Sequence, residues 1–147
     1  MDFTIREIEK KDYPELIEIF HEFAEFEKHP DKMLNSVEQM ETESDFINGF
    51  VVLNENKTII GYVTYFYAYY TWIGKSMYMD DLYVKRDFRG NGLGTKLIKK
   101  VIEKAKSDKC NKLRWQVSEW NQPAIDFYKN LGATVDSVES NCDLSLS

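Results

Sequence analysis

The stretch DFRGNGLGTKLIKK, residues 87–100, places three glycines in five positions directly after the β-rich run YMDDLYV. Beyond the glycines, residues 93–107 set apolar side chains on one face and lysines largely on the other, which is typical of a helix packed on a sheet. A glycine-rich turn at a helix N-terminus lets backbone N–H groups approach an anion, and the helix dipole adds attraction. The stretch therefore predicts a strand, an anion-binding loop and a helix. The alternative is a tight turn that needs glycine for its dihedral angles alone.

The order of residues excludes two well-known phosphate loops. The nucleotide P-loop needs a lysine followed by serine or threonine, whereas here Thr95 precedes Lys96. The dinucleotide fingerprint needs a third glycine where Thr95 stands, and its strand–loop–helix unit would come first in the chain. What remains is the pattern Arg89-x-x-Gly92-x-Gly94.

The rest of the chain predicts one α+β domain, over residues 1–147, with a mixed sheet. Asp12 and Ser36 are the predicted N-caps of the first two helices, and Gly132 is predicted to end the last. The predicted strands are 3–8, 49–55, 58–70, 76–84, 112–118 and 133–138, with a final short alternating run at 142–147. The predicted helices are 12–27, 36–47, 93–107 and 123–131.

Net charge, the length of apolar stretches and the number of cysteines argue against several classes of partner. The net charge of −6 argues against non-specific nucleic-acid binding. No stretch reaches the roughly 18 apolar residues of a membrane span, and the first residues do not resemble a signal peptide, so we expect a cytoplasmic protein without a membrane partner. Cys110 and Cys142 are too few and too isolated for a disulfide framework or a zinc site, and we expect no metal.

Two acids, Asp80 and Asp81, interrupt an otherwise apolar strand. Because neighbouring strand residues point to opposite faces, at least one carboxylate is expected in a partly buried setting, where an unpaired charge costs several kcal/mol. An amine substrate would supply a partner, and it would also need a group to take its proton. The alternatives are an internal pair with Arg114 or a lysine, and a β-bulge that turns one acid to solvent.

Together these motifs resemble the GNAT (Gcn5-related) N-acetyltransferase family over nearly the whole chain. The resemblance implies the GNAT fold, a mixed and mostly antiparallel central sheet flanked by helices, with acetyl-CoA in a cleft between central strands. It implies that the pantetheine arm lies on backbone groups of Leu82, Tyr83 and Val84. The residues implied to hold the pyrophosphate are Arg89, Gly90, Asn91, Gly92, Leu93, Gly94 and Thr95.

The segment WNQPAIDFYKNLGA, residues 120–133, resembles the Asn-x-x-Ala-x-x-Phe-Tyr segment that this family places beside the thioester. Asn121 and Tyr128 are seven positions apart, nearly two helical turns, so they share a face. The resemblance implies that Asn121 bonds the pantetheine arm. It also implies that Tyr128 contacts the cofactor and is the general acid, since a phenol with a pKa of about 10 can protonate the leaving thiolate. The alternatives are a helix cap and a core aromatic.

Within the family, three segments are most similar to the spermidine/spermine and thialysine N-acetyltransferase group: residues 23–27, 71–84 and 118–133. The likeness implies an amine pocket containing Asp81, Trp72 and Glu27, and a homodimer. It makes Asp80 the catalytic proton acceptor; that group usually has a glutamate there, so the shorter side chain favours a relay through water. Polyamine specificity is less strongly indicated, because residues 136–147 lack the tryptophan that those enzymes carry near the C-terminus.

The sequence thus predicts an acetyl-CoA-dependent N-acetyltransferase. Its acceptor would be a small cationic primary amine, a polyamine, a diamine or a lysine-like molecule such as thialysine, which attacks directly without an acyl-enzyme. Two alternatives stay open. One is a protein N-acetyltransferase that acts on a terminus or a lysine, and the other is a non-catalytic acyl-CoA sensor that needs the glycine loop alone.

Overall fold

The computed structural model describes residues 2–146, which form two compact units that meet at Gln116 and Val117. The first unit holds the sheet and three helices, and the second holds one helix and the C-terminal segment. The single domain over 1–147 stays a prediction.

The first unit is built on a five-stranded sheet whose spatial order follows the chain, β1-β2-β3-β4-β5. The first four strands are antiparallel, and β5 runs parallel to β4, so the predicted mixed, mostly antiparallel sheet is confirmed. The strands are β1 Thr4–Glu7, β2 Asn48–Leu53, β3 Ile59–Tyr70, β4 Gly74–Val84 and β5 Leu113–Arg114.

The helices of the first unit are α1 Tyr13–Phe26, α2 Val37–Thr42 and α3 Leu93–Ser107. The first two join the sheet in one apolar cluster, to which α1 contributes Leu16 and Ile19 and α2 contributes Met40. α3 packs on β2, β3 and β4 and buries Leu93, Leu97, Ile98, Val101 and Ala105. The predicted apolar face of α3 is therefore present, with Ile98 fully buried and Ile102 only half-buried.

Both predicted N-cap residues occupy the N-cap position, but only Ser36 caps with its side chain. The Ser36 hydroxyl accepts a hydrogen bond from the Gln39 N–H at 3.1 Å and caps α2. Asp12 makes no such bond to α1, because its carboxylate is already held by the Arg6 guanidinium and by the Glu9 N–H. α2 is also shorter than predicted, since a separate 3-10 turn, Ser44–Phe46, follows it.

The predicted strands after α3 are largely absent. The run 112–118 contributes only Leu113–Arg114, and neither 133–138 nor 142–146 is a strand; residue 147 lies outside the described residues. Alternating side chains give a segment strand character, but a strand also needs a neighbour with which to exchange hydrogen bonds. The second unit instead contains α4, Gln122–Asn130, and Gly132 (φ 96°) ends it as predicted.

Candidate active site

The second half of β4 has a free side in the sheet. β4 pairs with β3 along its whole length, but with β5 only through Met77↔Leu113 and Tyr78↔Arg114. From Met79 onward, no strand among residues 2–146 lies next to β4 on that side. Such an edge offers backbone N–H and C=O groups to an extended ligand. The residues predicted to hold the pantetheine arm, Leu82, Tyr83 and Val84, lie on this stretch.

The glycine loop opens directly into α3. Gly90 and Gly92 have φ values of 86° and 72°, the left-handed region that favours glycine. Gly92 is the N-cap of α3 and offers no side-chain cap, and Lys96 is the first N–H donor to bond back into the helix, at 3.1 Å to the Gly92 carbonyl. The N–H groups before Lys96 therefore have no helical partner.

The space around the loop is open. A Cβ added at Gly90, Gly92 or Gly94 would meet no atom within 4 Å. An anion can therefore reach the uncapped N–H groups at the start of α3, where the helix dipole also favours negative charge. The residues present fit the pyrophosphate of acetyl-CoA.

Arg89, at the start of the loop, is held by a backbone hydrogen bond and by contacts with two aromatic rings. Its Nε donates to the Val84 carbonyl at 2.8 Å, and its guanidinium lies 5.0 Å from the Phe26 ring centre and 5.3 Å from that of Tyr83. The Tyr83 hydroxyl donates to Glu22 Oε2 at 2.7 Å. Burial and this bond raise the pKa of Tyr83 to about 12. α1 thus helps to orient the arginine beside an open groove, which is lined by Glu22, Phe26, Tyr83, Lys85, Arg86, Asp87, Phe88 and Arg89.

The two acids lie at a β-bulge. Thr64 pairs with Asp81 and Tyr65 pairs with Met79, so Asp80 is the extra residue without a partner on β3. The Asp80 side chain is exposed, whereas Asp81 is half-buried. The partly buried carboxylate expected from the sequence is therefore Asp81, and the bulge considered as an alternative turns Asp80 to solvent.

The pKa of Asp81 differs from that of an ordinary aspartate. Burial raises the pKa of Asp81 to about 7, the charges of Asp80 and Glu27 add to the rise, and a hydrogen bond from the Tyr62 hydroxyl to Asp81 Oδ2, 3.2 Å long, opposes it. Desolvation by the surrounding chain also raises the pKa of Asp80, although that side chain keeps contact with solvent. Near neutral pH, Asp81 can therefore both accept and release a proton.

Arg114, the internal partner considered as an alternative, does not pair with the acids. The Arg114 guanidinium lies over the Tyr70 ring, 4.4 Å from its centre. Within the part of the chain that the structure describes, the ion pairs are Arg6–Asp12, Lys11–Glu9 and Lys104–Asp108. The acid pair, Asp80 and Asp81, therefore gains no compensating cation from the described residues.

The two other residues predicted for the amine pocket differ in position. Glu27 is half-buried directly after α1, and its charge acts on Asp81, so the fold brings these two acids together. Trp72 lies in the turn between β3 and β4 and is 98% exposed. Six strand residues, or about 20 Å at about 3.3 Å per residue, separate Asp80 from the start of β4. A single chain does not bring Trp72 to the acid pair.

The last two predicted site residues belong to α4 in the second unit. Asn121 is the N-cap of α4, and its side-chain oxygen accepts from the Ala124 N–H at 3.3 Å. Tyr128 is the buried side chain of the helix. The capping role that the sequence left open for Asn121 is thus present. The roles of both residues toward the cofactor stay predictions.

Tyr62, Glu22 and Phe26 were missed by the sequence analysis. They matter because they contact residues that were predicted, Asp81, Tyr83 and Arg89 respectively. No local motif marks Tyr62, since only the β3–β4 register brings it to Asp81. Phe26 lies inside the segment 23–27 that carried the family likeness, and this was the one available signal.

Neither a metal-binding cluster nor a membrane-spanning helix is found among the described residues. No three His, Cys, Asp or Glu side chains gather as they would around a metal ion, considering residues 2–146. In the same range, no helix has the length and apolar character needed to cross a membrane.

Comparison with known proteins identifies the family. The model of the acetyltransferase (GNAT) family matches residues 4–133. Thialysine N-epsilon-acetyltransferase from Bos taurus is 37% identical over 140 residues, which cover 88% of this chain and 82% of that protein. Spermidine/spermine N(1)-acetyltransferase-like protein 1 from Homo sapiens is 30% identical, over 97% of this chain and 22% of that protein.

Solved structures agree on the fold. The crystal structure of a Trypanosoma brucei acetyltransferase superposes with a TM-score of 0.79 at 22% identity, covering 97% of this chain and all of that one. The GNAT fold predicted from the sequence is therefore confirmed. The chain belongs to the GNAT acetyltransferase family and is an N-acetyltransferase.

Proposed function

We propose that this protein transfers the acetyl group of acetyl-CoA to a primary amine of a small cationic molecule, a polyamine, a diamine or a lysine-like amino acid such as thialysine. The observation that carries the proposal is the acid pair, half-buried at Asp81 and without a compensating cation among the described residues. An ammonium group is the partner that such a site favours. The names of the thialysine and spermidine/spermine relatives support the same class of acceptor.

On the cofactor side, acetyl-CoA supplies an activated acetyl thioester and a thiolate leaving group. Residues 89–95 bind its pyrophosphate through the open N–H groups of the loop and the Arg89 guanidinium. The backbone of Leu82, Tyr83 and Val84 and the side chain of Asn121 hold the pantetheine arm. Tyr128 donates its hydroxyl proton to the sulfur.

On the acceptor side, Asp81 and Glu27 attract the ammonium group, and Asp80 takes its proton through a water molecule. The amine nitrogen then attacks the acetyl carbon directly, without an acyl-enzyme. No metal ion takes part.

We also propose a homodimer located in the cytoplasm, without nucleic-acid or membrane partners. The outer half of the β3–β4 hairpin exposes Phe66, Tyr67, Tyr69 and Trp72, more large aromatic surface than an isolated strand pair usually presents. In such a dimer Trp72 would line an amine pocket, since a single chain leaves it remote from the acids. A light-scattering measurement that found only monomer at micromolar concentration would contradict the dimer.

The experiment that tests the function is a screen of amines with acetyl-CoA, followed by thiol release. We expect turnover of diamines, polyamines or lysine-like amines and little turnover of neutral amines.

Two variants test cofactor binding and acid catalysis separately. Gly92→Val should abolish acetyl-CoA binding in calorimetry, since its side chain would fill the open loop, and Tyr128→Phe should bind the cofactor normally but lose at least about 10²-fold in turnover. Acetylation of peptides alone would favour the protein N-acetyltransferase alternative.

A further inference from the structure

Tyr62 is a polar residue placed in the apolar core. Its side chain is fully buried in the cluster formed by α1, α2 and the sheet, and its ring centre lies 5.0 Å from that of Phe20 and 6.5 Å from that of Tyr83. The hydroxyl emerges from this packing to donate to Asp81 Oδ2 at 3.2 Å. Burial raises the pKa of Tyr62 well above its usual value, so the hydroxyl stays a donor throughout the working pH range.

The groups that face Asp81 come from three elements. Asp80 neighbours it on β4, Tyr62 faces it from β3, and Glu27 acts on it from the end of α1. Two of these groups are acids and the third is a neutral hydroxyl. Tyr62 is therefore the one group of the three that stabilises the ionised form of Asp81.

The bulge gives the two acids different surroundings. Asp80 is the unpaired residue and is exposed to solvent, whereas Asp81 has a strand partner, Thr64, and a donor that is anchored in the core. A general base works best when its position is fixed and when its proton affinity is matched to the working pH. Asp81 meets both conditions.

We propose that Tyr62 is a positioning residue for the acid pair and that Asp81, the carboxylate it holds, accepts the proton of the substrate ammonium, while Asp80 contributes charge alone. This inference rests on the proposed function and replaces its proton acceptor. An N–H bond of the ammonium breaks, its electron pair stays on nitrogen, and the proton forms an O–H bond on Asp81, directly or through one water. The free amine then forms the C–N bond as the C–S bond of the thioester breaks, the thiolate takes the Tyr128 proton, and the second proton of the attacking nitrogen replaces it on the Tyr128 oxygen. Asp81 later releases its own proton to solvent.

The first test needs no substrate. In protein labelled with ¹³C at aspartate carboxyls, the Asp81 resonance should titrate with a midpoint near 7. Tyr62→Phe should raise that midpoint, because it removes the hydrogen bond that favours the carboxylate, at nearly constant volume. Tyr65→Phe is the matched control: it removes the hydroxyl of another buried tyrosine on the same strand, and we expect no shift. An unchanged midpoint in Tyr62→Phe, or equal shifts in both variants, would overturn the role of Tyr62.

The second test uses the pH dependence of kcat/KM for the best amine. We expect Tyr62→Phe to move the acidic limb to higher pH, and Asp81→Asn to remove the limb and lower kcat by about 10²–10⁴-fold. Asp80→Asn should keep the limb and mainly raise KM. The reverse pattern would make Asp80 the acceptor and overturn the proposal. A wild-type protein that acetylated no amine would instead refute the proposed function, while the titration would still decide whether Tyr62 sets the state of Asp81.

Discussion

Asp12, at the junction of β1 and α1, and Asp81, within β4, are both partly removed from water, yet their pKa values move in opposite directions. Desolvation favours the neutral form of each. For Asp12 it is outweighed by two hydrogen bonds from Arg6, at 2.8 and 2.9 Å, and one from the Glu9 N–H, so the pKa falls below its ordinary value. For Asp81 the single hydrogen bond from Tyr62 does not outweigh desolvation and two neighbouring acids.

The contrast separates a structural acid, Asp12, from the acid that we propose to be functional, Asp81. Asp12 is satisfied within the fold, so its negative charge joins β1 to the start of α1 and is closed to any ligand. Asp81 accepts a hydrogen bond from Tyr62 but has two acidic neighbours, so its ionised form costs the fold stability; in the proposed function this carboxylate is available to a cation. Burial alone would not distinguish the two aspartates. Their pKa values shift in opposite directions because different groups face each carboxylate.

The largest expected effect is on the structural acid. Arg6→Ala leaves Asp12 buried without its partner and should lower the free energy of unfolding by about 3–5 kcal/mol at pH 7, as measured by denaturant titration. The loss should shrink as the pH falls below about 4, because the depressed pKa means that this stabilisation disappears as Asp12 becomes protonated.

A matched control for Arg6→Ala is Lys11→Ala, which removes the exposed pair with Glu9 at 3.3 Å. It should cost less than about 1 kcal/mol. Equal effects of the two substitutions would mean that the buried pair has no special structural role.

The next effect is the pH dependence of activity that we expect Asp81 to cause. With a pKa of about 7, Asp81 is protonated in acid and can then neither attract nor deprotonate an ammonium group. We expect kcat/KM for the amine to fall roughly tenfold per pH unit below about 7, to about 100-fold at pH 5, while the affinity for acetyl-CoA changes little. A flat profile between pH 5 and 8 would show that Asp81 does not titrate in catalysis.

The smallest effect is a gain in stability. Asp81→Asn removes a charge that the folded state tolerates poorly, so it should raise the free energy of unfolding at pH 8 by about 1–3 kcal/mol. Because the folded pKa of about 7 lies above the unfolded value, the charge costs stability progressively as the pH rises from about 4 to about 7 and in full above that, so the gain should vanish toward pH 4. Asp12→Asn, compared under the same conditions, should destabilise.

The glycine loop could be predicted from the sequence because its conformation determines its residues. Positive φ angles at Gly90 and Gly92 favour glycine, and the apolar stripe of α3 follows immediately. The strands β2, β3 and β4 were predicted for a related reason, since long β-branched and aromatic runs alternate with turn residues. Both signals lie within a few neighbouring positions.

The properties of the acid pair could not be predicted in this way. The bulge at Asp80 depends on the register with β3, the donor Tyr62 comes from another strand, and Glu27 comes from the end of a helix. The missing side-chain cap at Asp12 has the same cause, because the Arg6 guanidinium on β1 holds the carboxylate. Each property depends on a contact between residues that are distant in sequence or on separate elements. A local sequence pattern does not predict such a contact.

We expect the acid pair to select a cationic amine for acetylation. The most direct test compares kcat/KM for a diamine and for a neutral amine of similar size, in the wild-type protein and in the double variant Asp80→Asn, Asp81→Asn. We predict a strong preference of the wild type for the diamine and the loss of that preference in the variant, with unchanged binding of acetyl-CoA. A double variant that kept full activity on diamines, or a wild type that acetylated only neutral or anionic acceptors, would contradict the account.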